Sequence, residues 1–338
     1  PAPQRLAPVD DRLTADTAVR RTRRGEHLLY QGDFHNAKQL LAAMARRLPR
    51  PRAGTFAAER AARQLEHETL GRIVVALDAG YRLEFRRAPD VALACRQVWG
   101  PADAGRTVVA VKTLLGMLGA AEWRRKGLEV PGLKGRLTPH YGVWVPTRTE
   151  YLGLLRHLDV EGKRVIELGT GTGVIAFMLL QRGAASVVAT DVDERAIACA
   201  TENAGRLGLA ERFTAVLGAG WPQGEAELAV CNPPWLPEAP RSRVDRAVFD
   251  EGSAFLLQFL EGLGPRRLRG ALILSNLAEL LGLRPEGWLA ERFEAAGLAL
   301  VAKHDAKAAH GRAKDRSDPL HAARAREVTS LYLLDPLR

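Results

Sequence analysis

The chain has 338 residues, 46% of them hydrophobic and 26% charged, which suits about two globular domains with a substantial core and excludes a disordered chain. Its basic excess is uneven: residues 1–140 carry 25 basic and 14 acidic side chains, whereas residues 141–338 carry 24 and 25. No apolar run approaches the ~20 residues of a membrane span, and the opening Pro1-Ala2-Pro3-Gln4 lacks the apolar core of a secretory signal. Cys95, Cys199 and Cys231 stand far apart with no Cys-x-x-Cys pair, which excludes a disulfide scaffold and argues against a structural metal. A reducing, cytoplasmic setting is the expectation.

Residues 1–24 read as a Pro- and Arg-rich arm. Asp33 is placed to cap a helix in which Leu40, Leu41, Met44 and Leu48 recur at helical spacing. A break follows at Pro51–Gly54, then a helix over Thr55–Leu70. Ile73–Leu77 and Tyr81–Phe85 read as strands joined by a hairpin turn at Asp78-Ala79-Gly80. Helices are expected over Asp90–Trp99 and Val108–Lys126, so residues 1–135 form a mostly helical, basic N-terminal domain suited to substrate recognition.

Gly127–Gly142 reads as a linker, and beyond it strand and helix alternate. Strands are expected at Lys163–Leu168, Ser186–Thr190, Phe213–Leu217, Glu227–Cys231 and Ala271–Ser275. Helices are expected at Gly173–Gln181, Glu194–Arg206, Phe255–Leu263 and Pro285–Ala296. Such units impose parallel pairing and a sheet covered on both faces. Leu298–Lys303 and Val328–Leu334, joined by a long basic loop with no crossover helix, should pair antiparallel.

Two motifs carry chemistry. In Glu167-Leu168-Gly169-Thr170-Gly171-Thr172-Gly173, glycines at a strand-to-helix turn admit close approach of a nucleotide-like ligand. Asp191 ends the next strand, where a carboxylate can accept from ribose hydroxyls. Gly171-x-Gly173-x-x-Ala176 can be read as a nicotinamide dinucleotide site. An acidic residue before three alternating glycines fits S-adenosylmethionine, so Glu167, Gly169, Gly171, Gly173 and Asp191 are the expected cofactor residues.

The second motif, Asn232-Pro233-Pro234-Trp235, follows the fourth strand. An amide or aromatic amine is a weak nucleophile, because its nitrogen lone pair is delocalised. Methylating it requires the NH2 group to be held with that lone pair aimed at the methyl donor. The Asn232 side-chain oxygen and the Pro233 carbonyl are two suitable acceptors, and Trp235 offers a flat face for stacking. Positioning supplies most of the rate, with no strong base needed.

With these motifs, residues 141–302 resemble the class I S-adenosylmethionine-dependent methyltransferases, in particular the small-domain group containing the HemK-like release-factor glutamine methyltransferases. Tyr141–Glu150 is similar to that group's Val-Pro-Arg-x-Glu-Thr-Glu entry segment, with Trp144 and Arg148 as candidate substrate contacts. Val248–Gly252 is similar to the Gly-x-Asp-Gly stretch beyond Asn-Pro-Pro. The resemblance implies a Rossmann-like seven-stranded sheet of order 3-2-1-4-5-7-6 over residues 136–338, with the seventh strand antiparallel. It also implies an Asp beside the adenine, where this chain has Gly220, and a Tyr where it has Trp235.

The expected activity is N-methylation of a planar NH2 group, foremost a glutamine amide in a protein. An adenine or guanine amine in RNA or DNA is the alternative, and a non-catalytic binding module on the same scaffold is a third reading. The segment 303–326 holds seven basic and three acidic residues, so Arg312, Lys314 and Arg316 are candidates for gripping a polyanion, as is Trp123-Arg124-Arg125-Lys126. His140 and Tyr141 are expected near the cleft mouth, His140 in a structural role. A protein or RNA partner is expected, and no membrane.

Overall fold

The computed structural model describes residues 5–49, 54–102, 104–146, 148–241 and 244–337. Thr147 of the entry segment, and most of the expected break at Pro51–Gly54, lie outside the described residues. Contacts divide the chain into two units, Pro1–Arg125 and Lys126–Arg338.

The first unit contains β1 (Leu6–Val9), α1 (Ala15–Arg23), β2 (His27–Tyr30), α2 (Phe34–Arg47), α3 (Phe56–Gly71), β3 (Ile73–Leu77), α4 (Ala92–Trp99), β4 (Thr107–Ala110) and α5 (Val111–Lys126). Helices predominate, as expected, but they accompany a four-stranded sheet of order β1-β2-β3-β4. The first three strands run parallel, and β4 is antiparallel to β3. Asp33 caps α2, accepting from the His35 and Asn36 amides. It also receives Arg86 and Arg87 at 2.9 and 2.7 Å.

Three local expectations are corrected here. Part of the expected arm is strand β1 and helix α1. The turn at Asp78-Ala79-Gly80 closes with a single antiparallel bridge from Asp78 to Arg82, but the strand expected at Tyr81–Phe85 does not follow, and β3 pairs with β2 and β4. The helix expected from Val108 starts at Val111, its first residues forming β4.

The second unit opens with a short hairpin, β5 (Leu128–Glu129) and β6 (Arg136–Leu137). It continues through β7 (Arg164–Leu168), α6 (Val174–Gln181), β8 (Ser186–Asp191), α7 (Glu194–Arg206), β9 (Phe213–Leu217), β10 (Leu228–Cys231), α8 (Ala254–Arg266), β11 (Arg269–Ser275), α9 (Leu277–Leu280) and α10 (Trp288–Ala295). It ends with β12 (Leu298–Lys307), α11 (Gly311–Lys314), α12 (His321–Arg324) and β13 (Val328–Pro336).

Its seven strands lie in the order β12-β13-β11-β10-β7-β8-β9. Numbered from β7, this is the expected 3-2-1-4-5-7-6 read from the other edge. Pairing is parallel from β9 to β11, and β13 is antiparallel to both β11 and β12. β12 runs four residues past the expected Lys303, with a register shift at Leu300/Ala302. The basic segment therefore starts at Ala308 and contains two short helices.

Helix α6 is buried from Val174 through Leu180, packing Phe177 edge-on against Phe213 of β9. Leu256, Phe259, Leu260 and Leu263 of α8 fill another core cluster with Ile166, Leu168 and Cys231. β7 is the hinge of the topology. From β7 the chain proceeds to β8 and β9 on one side, while β10 and β11 lie on the other. A crevice at the carboxyl ends of β7 and β10 follows, the ordinary ligand position in a doubly wound sheet.

Candidate active site

The loop after β7 forms the first wall. Gly169, Gly171 and Gly173 have φ of 78°, 54° and 86°, a region that L side chains rarely adopt. The Gly169 and Thr170 amides donate to the Thr190 carbonyl at 2.9 and 3.0 Å, which fastens the loop to β8. The Gly171 amide donates to Asp191 Oδ2 at 2.9 Å, and the Asp193 amide to Asp191 Oδ1 at 3.0 Å. Gly173 serves packing: a Cβ there would lie 2.3 Å from the Phe177 ring.

Glu167 is 1% exposed and accepts from the Thr170 hydroxyl at 2.7 Å. Burial pushes its carboxyl up to about 8, and the neighbouring Asp191 acts in the same direction. Burial also raises Asp191 from its ordinary value. The ends of β7 and β8 thus place two acids beside the crevice, each raised by burial, and Glu167 favours its protonated form until a positive charge arrives.

The second wall follows β10. The Trp235 indole N–H donates to Asn232 Oδ1 at 3.0 Å. An indole N–H only donates, so it faces the amide oxygen and fixes which way the Asn232 side chain points. The Leu236 amide donates to the Val248 carbonyl at 3.1 Å, and the Asp250 amide to the Leu236 carbonyl at 2.9 Å. These bonds pin the motif to the 248–250 segment. Asp250 in turn accepts from the Phe255 and Leu256 amides at 3.0 and 3.1 Å, anchoring the start of α8.

Both walls line one cavity of about 380 Å³. It brings together Trp144, Arg148, Glu167, Gly169, Gly171, Asp191, Asn232, Pro233 and Trp235 from the expected site residues. Gly173, Arg312, Lys314 and Arg316 do not line it, and the last three side chains are exposed on or beside α11. Tyr141 is also outside the lining, although Gly142 and Val143 belong to it. His140 meets Glu202 at 2.8 Å, and the Trp123–Lys126 run ends α5.

Arg148, expected as a substrate contact, lines the cavity and also makes internal contacts. Its guanidinium lies 4.7 Å from the centroid of the Trp235 ring and is paired with Glu150 and Glu327. One face of Trp235 is thereby taken by an internal cation. Tyr151, whose ring meets Trp235 edge-on at 6.3 Å, and Glu327 escaped the sequence reading. Glu150 was visible only as part of the entry segment. Beyond β9, Gly218 lines the cavity, while the Gln258 side chain packs at Gly220 and donates to the Ala219 carbonyl at 2.8 Å.

Residues 146–233, which hold the glycine loop and reach Asn232 and Pro233 of the second wall, match the model of the ribosomal protein L11 methyltransferase family (PrmA). With the sheet order, that match identifies the fold. The second unit has the class I methyltransferase fold. The ribosomal protein L11 methyltransferase of Aliivibrio fischeri is 38% identical over 88 residues, 26% of this chain and 30% of that protein. The chain therefore spans 30% to 40% of the length of the curated L11 methyltransferases that it matches. The Methanocaldococcus jannaschii protein named "Putative protein N5-glutamine methyltransferase MJ0928" is 28% identical over 177 residues, 48% of this chain and 89% of that protein. Among solved structures, the ribosomal protein L11 methylase of Lactobacillus delbrueckii subsp. bulgaricus shares 21% identity with a TM-score of 0.36, covering 55% of this chain and 76% of that one.

The cofactor of the class, S-adenosylmethionine, fits what lines the cavity of this methyltransferase domain. A Cβ at Gly218 would meet nothing within 4 Å, and one at Gly171 only the Trp144 Cβ at 4.0 Å, so both glycines leave room for a ligand. Asp191 offers acceptor oxygens for a diol, and Glu167 offers a latent negative charge for a cation. Among the described residues, no helix is long and apolar enough to cross a membrane.

Proposed function

We propose that this domain transfers the methyl group of S-adenosylmethionine to a planar NH2 group, foremost the side-chain amide of a glutamine in a protein. The observation that carries the reading is the shared cavity. The Asn232 amide, oriented by Trp235, lies in the same 380 Å³ space as Gly171 and Asp191.

The cofactor, when bound, supplies an electrophilic methyl group on a sulfonium. The protein's part is to hold and aim the acceptor. A carbonyl oxygen has two lone pairs, so Asn232 Oδ1 can accept from the substrate NH2 while still receiving the indole N–H. The Pro233 carbonyl supplies the second acceptor. Held by both hydrogens, the acceptor nitrogen presents its lone pair to the methyl carbon. With the cofactor bound, its methyl carbon would be the partner of the new N–C bond, its sulfur would leave as a neutral thioether, and the nitrogen would release one proton to water. Asn232 and Pro233 also stabilise positive charge developing on that nitrogen, a role that depends on their being oriented beforehand.

The designation of the Methanocaldococcus jannaschii relative supports an amide acceptor. A base amine in RNA presents the same planar NH2, and the basic side chains of the first unit and of Arg312, Lys314 and Arg316 support that second reading. The test is transfer of tritiated methyl to separated protein and RNA fractions of a cell extract. An N-methylated glutamine amide releases its label as volatile methylamine on acid hydrolysis, which a methylated base or lysine does not. Label confined to RNA, or no label in either fraction, would overturn the first reading.

A further inference from the structure

We propose that Arg148 and Glu327 act as positioning residues for the acceptor motif: together they clamp the plane of Trp235, and through its indole N–H they set the Asn232 amide. The inference rests on the reading of Asn232 as the group that orients the acceptor nitrogen.

The clamp is built from a nearly buried ion network in which all three Arg148 nitrogens donate to carboxylates. Arg148 donates from Nε and Nη2 to Glu150 Oε1 at 3.0 and 2.8 Å. Its Nη1 donates to Glu327 Oε1 at 2.9 Å. Side-chain exposure is 18% for Arg148, 7% for Glu150 and 0% for Glu327. Glu327 Oε1 also receives the Ser275 hydroxyl at 2.6 Å, from the end of β11. Its Oε2 meets His310 Nε2 at 3.3 Å. The Ala313 amide donates to His310 Nδ1, so that nitrogen carries no proton and Nε2 is the donor to Glu327.

Two carboxylates from opposite ends of the domain sequence thus hold one guanidinium over the indole. A planar fork can satisfy both acids and stack at the same time, whereas an ammonium cannot. Tyr151 meets the indole edge-on, so the ring is restrained from a second direction. The next bond outward is Trp235 Nε1 to Asn232 Oδ1 at 3.0 Å. A side chain that must hold a weak nucleophile in line is set by a chain of contacts running back to β11 and the segment 308–327. A sub-ångström loosening anywhere along it reaches the acceptor.

The test uses the full chain labelled with 15N-tryptophan, the Trp235 indole resonance being the one lost in Trp235→Phe. In Arg148→Lys and in Glu327→Gln, exchange of the Trp235 indole hydrogen should rise about tenfold, with S-adenosylhomocysteine affinity within about twofold of wild type. On the fraction that the wild type labels, kcat should fall about tenfold with the KM for S-adenosylmethionine unchanged. Glu327→Asp keeps the charge and should recover part of the loss, which also covers the case in which Glu327→Gln does not fold. Unchanged exchange and unchanged kcat in folded variants would overturn the clamp. So would a loss of transfer matched by an equal loss of cofactor affinity, which is the mark of a merely structural role. If the wild type labels no NH2 group at all, the proposed function fails, while the exchange measurement still decides the clamp.

Discussion

Glu167 gives the most quantitative handle on the site. Its carboxyl lies at the end of β7, buried, with a pKa pushed up to about 8 by that burial and by Asp191. At pH 7 it is therefore about nine-tenths protonated. A sulfonium entering the same cavity favours the carboxylate, and an opposite charge at close range lowers such a pKa by about 2. The domain should then release about 0.8 proton per cofactor bound at pH 7, falling to about 0.1 at pH 9. The assay is calorimetric titration with S-adenosylmethionine in buffers of different ionisation enthalpy. S-adenosylhomocysteine, which lacks the sulfonium charge, should release less, and Glu167→Gln should release almost none. Without ligand the sign is fixed as well. A carboxyl whose folded pKa is raised contributes stability that is full below its unfolded value and is lost as pH rises through about 8. The wild type should thus lose stability across that window, and Glu167→Gln should flatten the profile. Equal proton release from the wild type and Glu167→Gln would refute the placement of this charge.

Asp191→Ala removes the acceptors assigned to the ribose and the Gly171 amide's partner, and should weaken S-adenosylhomocysteine binding about a hundredfold by calorimetry. Trp235→Phe keeps an aromatic ring but removes the bond to Asn232; transfer should drop about tenfold with cofactor affinity unchanged. Replacing Arg312, Lys314 and Arg316 together by Gln should leave cofactor affinity untouched, because none of them lines the cavity. If those side chains grip single-stranded RNA, the log–log salt slope of RNA binding should flatten by about 2 in that triple variant. An unchanged slope removes them from any RNA interface.

The second unit was legible in the sequence because each strand is a short apolar run bounded by turns and followed by a helix of contrasting period. The motifs of its site are contiguous, so Glu167–Gly173 and Asn232–Trp235 could be read without knowing the fold. The first unit resisted for physical reasons. β1 contains Pro8, which argues against a strand except at an edge, and β1 is the edge of its sheet. β4 runs directly into α5, so Thr107–Leu115 is a stretch with no punctuation between the two periods. Tyr81–Phe85 has strand composition, but Tyr81 ends the turn with a φ of 60°, and past the single bridge at Arg82 the segment forms no strand.

The Arg148 network was hidden for another reason. Arg148 and Glu327 are 179 residues apart, and only the antiparallel return of β13 beside β11 brings them together. From the entry-segment resemblance, Arg148 reads as a substrate contact. Its pairing with two acids over the Trp235 ring could not be read from the sequence.

Asn232→Ala tests the central claim most directly. The truncated side chain leaves the glycine loop and Asp191 intact, so S-adenosylhomocysteine should bind with wild-type affinity. Transfer of tritiated methyl to the protein fraction should fall by about a hundredfold or more, as when an oriented charge-stabilising group is removed. A variant that binds the cofactor and still methylates at the wild-type rate would contradict the account.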